Sequence, residues 1–325
     1  MSDENNNEAD TSCCASCGIA EIDDIKLVPC DGCDLVKYCS DECQRDHKSE
    51  HEDACKKRAA ELHDELLFKQ PESTHMGDCP ICRLPLPLDG KKSAIMDCCS
   101  KIICKGCLLA NAEQTMEMRL VPSCPFCREP LGVCDKRLRK RIEANDPNAL
   151  RTYGAKQYRK GDLKEILTLH PSIESTTDYR SAFEYFIKAA ELGNTWSHYD
   201  LAHLYRAGKG VKKDEEKEIY HLEEAAIAGH PEARYHLGIH EGHLGMHEGG
   251  DVNYERAAKH WIIAATQGDD KSIKMLMDMF KGRKKEFVRK EDLDAALRAH
   301  KAASDATKSP LRKAAEEFEC KDFGS

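Results

Sequence analysis

No stretch of the 325-residue chain approaches the about 18 consecutive apolar residues that a membrane-spanning helix needs, which argues against a membrane protein. The opening residues, MSDENNNEAD, hold neither a basic n-region nor an apolar h-region. A secretory route is therefore not expected, and an intracellular location, cytoplasmic or nuclear, is. Positive charge is in deficit, with a formal net charge of −9, and this argues against a protein that coats nucleic acid by bulk electrostatics. There is no phosphate loop, no dinucleotide fingerprint and no nucleophile–histidine–acid set. Cysteine is almost missing beyond Cys127, where only Cys134 and Cys320 occur.

What the rest of the chain lacks, its first third concentrates. Sixteen of the eighteen cysteines lie between Cys13 and Cys127, mostly in pairs two residues apart. Without an oxidising compartment, C-x2-C pairs point to thiolates converging on tetrahedral zinc, with Zn–S bonds of about 2.3 Å. The first string is Cys14-x2-Cys17, Cys30-x2-Cys33, Cys39-x3-Cys43 and His51-x3-Cys55. Its last ligands have helical spacing, so one helix face can present His51 and Cys55. Cys13 is a spare thiol, because Cys14 has the right spacing. The second string is Cys79-x2-Cys82, Cys98-Cys99, Cys104-x2-Cys107 and Cys124-x2-Cys127. Eight ligands in each string make two closed sites each, about four ions of Zn2+ in all. Closed four-ligand sites are structural rather than catalytic.

Beyond about Asp146 the pattern becomes periodic. AFEYFIKAAELG from Ala182, YHLEEAAIAG from Tyr220 and AAKHWIIAATQG from Ala257 recur with their terminal glycines 36 and 39 positions apart. They alternate with segments such as HYDLAHLYRAGKG from His198 and ARYHLGIHEG from Ala233. Each unit reads as two short helices. The alanine pairs at Ala189–Ala190, Ala225–Ala226 and Ala264–Ala265 permit close approach. Glycine supplies left-handed C-caps, and Pro231 and Asp146–Pro147 open helices. Helix pairs at such a period build an α-solenoid. The extra residues 163–177 are expected to form a surface loop. His236, His240, His243 and His247 are expected to be solvated, with the helix broken by glycine after about Glu241. Trp196 and Trp261 are expected in the core. The basic run Lys136–Arg141 reads either as a nuclear-import or nucleic-acid patch or as a solvated linker helix.

Three resemblances follow from these residues. Residues 148–307, above all LAHLYRAGKGVKKDEEKEIYHLEEAAIAGHPEARYHLG with its G-x-G-V loop at Gly208–Val211, resemble Sel-one-like repeats, relatives of the tetratricopeptide repeat. That likeness implies a superhelical scaffold with a concave protein-binding surface. Residues 14–55, with VKYCSDECQ leading to HEDAC, resemble the MYND-type zinc finger. It implies interleaved sites, Cys14, Cys17, Cys39 and Cys43 on one ion and Cys30, Cys33, His51 and Cys55 on the other. It also implies binding of short proline-containing peptides. Lys48 stands where that family often has tryptophan, so the peptide groove is expected to differ.

Residues 79–128 resemble a RING-type domain. The likeness implies one site from Cys79, Cys82, Cys104 and Cys107, and a second in which Cys124 and Cys127 join two central ligands. The family's histidine position falls at Lys101, whose ammonium cannot ligate. The expected repair is that adjacent Cys98 and Cys99 both bind, which demands an unusual backbone turn. The resemblance further implies recruitment of a ubiquitin-conjugating enzyme, with Ile81 and Pro125 contacting it and Arg128 bridging it to ubiquitin. No residue of the chain is expected to act as nucleophile.

The expected fold class is mainly α: two small cross-brace zinc-binding domains followed by an α/α-solenoid of Sel-one-like repeats. The expected order is a disordered tail at 1–12, a MYND-type finger at 13–55 and a helical linker at 56–78. A RING-type zinc domain at 79–130, a basic linker at 131–147, repeats at 148–307 and a C-terminal tail at 308–325 follow. The functional expectation is a RING-type ubiquitin ligase or ligase subunit that binds protein partners through its repeats and finger. The alternative is a non-catalytic adaptor using the same surfaces. A MYND-containing lysine methyltransferase is disfavoured, because the repeats account for the chain after Asp146.

Overall fold

A computed structural model describes residues 13–22, 24–131, 134–168, 173–248, 251–282 and 284–322. The expected tail at 1–12 lies outside them. The chain divides into two compact units, Met1–Lys69 and Gln70–Ser325.

In the first unit, strand β1 (Val28–Pro29) pairs antiparallel with β2 (Lys37–Tyr38), with Val28 opposite Tyr38. Helix α1 (Asp41–Asp46) starts where the Ser40 hydroxyl accepts from the Cys43 N–H at 3.3 Å, and Asp41 and Glu42 complement the positive end of its dipole. Helix α2 (Lys48–Leu67) carries His51 and Cys55 one turn apart and runs on through the expected linker helix. Leu27 and Tyr38 form a small core around Cys14. Arg58 ties α2 to the ligand loop by a two-pronged bond to Asp34, at 2.7 and 2.9 Å.

The second unit opens with a non-helical strap, Gln70–Asp78, laid over repeat helices that come later in the chain. The His75 N–H donates to Gly229 O at 3.1 Å, Gln267 donates to Ser73 O at 3.4 Å, and Thr266 bonds Gln70 at 3.0 Å. Strand β3 (Ser93–Ile95) then pairs antiparallel with β4 (Ile102–Cys104), and α3 (Lys105–Glu117) follows directly. The core here is Met76, Leu86, Met96 and Ile103 among the cysteines.

Helix α4 (Cys134–Glu143) contains the basic run. It is a helix as expected, yet not merely solvated: Leu138 is buried, Arg137 pairs with Glu129 at 2.7 Å, and Arg141 bonds Ser100 and Asp146. The repeats comprise α5 (Pro147–Thr168), α6 (Ile173–Glu191), α7 (Thr195–Ala207), α8 (Glu215–Ile227), α9 (Pro231–Glu248), α10 (Asp251–Thr266), α11 (Asp270–Lys281) and α12 (Lys290–Ala306). Asp146 caps α5 by accepting from Ala149 N–H at 2.9 Å. Asn194, Asp214 and Asp269 do the same for α7, α8 and α11. The three alanine pairs are buried between helices. Gly193, Gly229 and Gly268 take left-handed φ values of 80°, 85° and 96°.

Three expectations need correction. Residues 163–177 do not form a loop: they lengthen α5 to Thr168 and start α6 at Ile173, with 169–172 outside the described residues. Nor does α9 break after Glu241. Its glycines are contact points for α10: a Cβ on Gly238 would lie 2.4 Å from the Trp261 ring nitrogen, and one on Gly245 2.9 Å from the Tyr254 ring. Aromatic packing outweighs the roughly 1 kcal/mol that each glycine costs a helix. Of the four histidines, His243 is exposed, but His236 is half-buried against Tyr199 and His203, and His240 pairs with Glu215 at 3.3 Å. The His247 side chain lies outside the described residues. The segment read as a C-terminal tail forms α13 (Pro310–Asp322), which packs on α3.

Candidate metal centres

In four places the chain brings four ligand atoms together, all within 4.8 Å of one another. The groups are Cys14, Cys17, Cys39 and Cys43; Cys30, Cys33, His51 and Cys55; Cys79, Cys82, Cys104 and Cys107; and Cys98, Cys99, Cys124 and Cys127. Cys13 is exposed and belongs to none. Tetrahedral Zn–S bonds of about 2.3 Å place sulfurs about 3.8 Å apart. The observed separations bracket that value: Cys17–Cys39 3.5 Å, Cys30–Cys55 3.7 Å, Cys82–Cys104 3.8 Å and Cys99–Cys124 3.9 Å. His51 Nε2 lies 3.1 Å from Cys33 Sγ.

The electrostatics agree with a cation at each centre. Burial raises the Cys14 thiol, but the N–H groups of Cys17, Cys39 and Ser16 outweigh it and bring its pKa down to about 6. Beside it, the Cys17 and Cys43 thiols push Cys39 up to about 12. The third group repeats this split: backbone donors overcome burial to bring Cys79 to about 7, whereas burial and the neighbouring Cys104 drive Cys107 far up. Four thiols this close cannot all ionise unless a cation sits among them. The donor set suits zinc, and the chain is a zinc-binding protein.

Local structure explains how the ligands converge. A Cβ on Gly32 would meet Cys55 Sγ at 2.9 Å, so any larger residue there would push that ligand aside. Cys98 and Cys99 sit at the tip of the β3–β4 hairpin. There Met96 O accepts from both Cys99 N–H, at 3.1 Å, and Ser100 N–H, at 2.7 Å. Ser100 has φ +50°, and its hydroxyl accepts from Arg141 at 2.6 Å. This is the turn that adjacent ligands require. Lys101, in the histidine position, instead holds its ammonium 5.7 Å above the Phe126 ring.

The outer ligand pairs lie in two matching knuckles, Cys79-Pro-Ile-Cys82-Arg-Leu-Pro85 and Cys124-Pro-Phe-Cys127-Arg-Glu-Pro130. In each, the first cysteine accepts from the arginine N–H at 2.9 Å, and that arginine is left-handed, with φ 60° at Arg83 and 63° at Arg128. Ile81 is 42% exposed on the first knuckle; Pro125 is half-buried and Arg128 exposed on the second. Sequence reasoning missed the residues that brace this domain from afar. Trp196 packs against its core, Lys156 pairs with Asp97 at 2.6 Å, and Arg312 reaches Cys82. Nothing in their local sequence marks them, since each acts across 59 or more positions.

The MYND finger family model matches residues 14–55, and the Sel1 repeat model matches 172–194, 197–230 and 231–269. A search of curated proteins finds no match. Among solved structures, the chain is similar to a Sel1 repeat protein from Oxalobacter formigenes, at 21% identity and TM-score 0.39, over 60% of this chain and 72% of that one. It is also similar to a protective antigen of uropathogenic Escherichia coli with an SLR fold, at 24% identity and TM-score 0.38, over 53% of this chain. The chain spans only 33% of that antigen. An immunity protein from Pseudomonas aeruginosa is similar at 16% identity and TM-score 0.29, over 62% of this chain and 83% of its own. MYND fingers and Sel1 repeats are protein-interaction modules, and this chain combines them with zinc centres. Among the described residues, no helix is long and apolar enough to cross a membrane.

Proposed function

We propose that the chain is a RING-type ubiquitin ligase or ligase subunit holding four zinc ions, one in each ligand group. Its zinc domain at 79–130 recruits a ubiquitin-conjugating enzyme, while the repeats and the MYND finger bind protein substrates. The observation that supports this most is the completed second ligand set: with Cys98 and Cys99 facing Cys124 and Cys127, Lys101 no longer breaks the RING-like order. Ile81 remains 42% exposed at the first knuckle and Phe126 44% exposed at the second, apolar groups that the metal sites do not use.

The chemistry asked of the chain is positioning. A substrate lysine amine attacks the ubiquitin thioester carbon on the conjugating enzyme; the C–S bond breaks, the isopeptide bond forms, and the enzyme's cysteine leaves as thiol. Ile81 and Pro125 would hold the carrier, and the planar donor fork of Arg128 would bridge carrier and ubiquitin. In the finger, a groove of about 590 Å³ lined by Tyr38, Gln44, Lys48 and Glu52 is where a proline-containing peptide would bind.

The test incubates the purified chain with ubiquitin, activating enzyme and a panel of conjugating enzymes. Zinc-dependent ubiquitin chains should form with the wild type and fall about tenfold or more in Ile81→Ala and Arg128→Ala, without loss of bound zinc. Absence of chains across the panel would leave the non-catalytic adaptor as the better reading.

A further inference from the structure

The last helix returns to the second zinc domain and seats a buried arginine against one of its ligands. Arg312, 7% exposed, donates through one guanidinium nitrogen to Pro85 O at 2.7 Å and Thr307 O at 2.6 Å. Through the other it donates to Leu84 O at 3.3 Å and to Cys82 Sγ at 3.5 Å. The Leu84 and Pro85 carbonyls belong to the loop that follows Cys82, so one side chain grips both a ligand and the backbone that positions it.

The facing surface is shaped for this contact. Gly106 lies in the first turn of α3, between ligands Cys104 and Cys107, and a Cβ there would stand 2.7 Å from Arg312 N and from Leu311 C. Only glycine lets α13 approach so closely. Ala315 is buried one turn further on, and Lys92 pairs with Glu316 at 2.8 Å at the rim. Four thiolates around one Zn2+ leave about two net negative charges in a largely buried place. A permanently charged guanidinium offsets that charge and fixes sulfur orientation, as outer hydrogen bonds do for metal ligands generally.

We infer that α13 is an integral part of the second zinc domain and that Arg312 is a positioning residue for the Cys79, Cys82, Cys104 and Cys107 site, holding the Cys82 thiolate and slowing loss of its metal. A helix that follows the repeats thereby sets how firmly the zinc domain at 79–130 keeps its ion. This does not depend on the ligase reading.

The experiment follows zinc release from the full-length protein into a chromogenic chelator, with total zinc measured after denaturation. In Arg312→Leu, one ion per chain should leave at least about tenfold faster while the others keep wild-type rates. Gly106→Ala, which forces α13 away without altering the guanidinium, should accelerate the same ion. Arg312→Lys, which keeps the charge but loses the fork, should fall between. Glu316→Gln should match the wild type. In a Cys82→Ser background, which lacks that ion, Arg312→Leu should change nothing further. Wild-type release from both Arg312→Leu and Gly106→Ala overturns the proposal. Equal acceleration at every site also overturns it, because a bond to one ligand predicts that one ion moves.

Discussion

The two zinc domains use the same kind of centre and are stabilised in different ways. In the first, three contacts that shape the sites come from within residues 13–69: the Ser40 cap, Gly32 against Cys55, and Arg58 on Asp34. In the second, the hairpin turn is held by Arg141, the core is closed by Trp196, and the first knuckle is held by Arg312. None of these lies within 79–130. A zinc domain can thus be braced by neighbours in its own ligand string or by distant parts of the chain, and the ligand string alone does not say which.

The largest effect expected is from metal removal. A chelator should abolish the fold of 14–55 and 79–128, because zinc binding supplies roughly 10–16 kcal/mol of apparent folding energy in small fingers. Far-UV circular dichroism of the repeat helices should largely survive. A collapse of the whole helical signal would mean that the repeats depend on the zinc domains. Expressed separately, residues 13–69 should take up zinc and give a dispersed NMR spectrum. Residues 76–131 should not, lacking Arg141, Trp196 and Arg312. A well-folded second fragment would erase the contrast between the two.

Much of the architecture was legible because metal ligands and repeat helices leave short-range signatures. Spacing alone marked the ligand strings, the resemblance to the MYND finger implied how the first is divided between two sites, and glycine with alanine marked the repeat boundaries. Arg312 and Trp196 were not legible as braces, since their partners are distant in sequence. Gly242 and Gly245 misled for a related reason: helix propensity is local, whereas the indole and phenol rings that face them come from another helix.

That override can be measured. Gly238→Ala should raise intrinsic helix propensity yet destabilise the repeats by up to about 3 kcal/mol, because its methyl collides with Trp261. Urea unfolding would read the change, and a gain in stability would contradict the packing account.

A smaller effect comes from acid. Burial lowers the pKa of His75, His221 and His236 to about 4, against about 6.5 unfolded. Between these values the unfolded chain binds more protons, so stability is full above about pH 6.5 and falls as pH drops toward about 4. At pH 5 each fully shifted histidine costs about 2 kcal/mol. His75→Phe should flatten the dependence of melting temperature on pH by that share; an unchanged slope would remove His75 from the account.

The central claim is that adjacent Cys98 and Cys99 complete a fourth closed zinc site. Native mass spectrometry of the intact protein tests it most directly. The wild type and Cys13→Ser should each carry four zinc ions, and Cys98→Ser should carry three. Four ions retained in Cys98→Ser would contradict the claim.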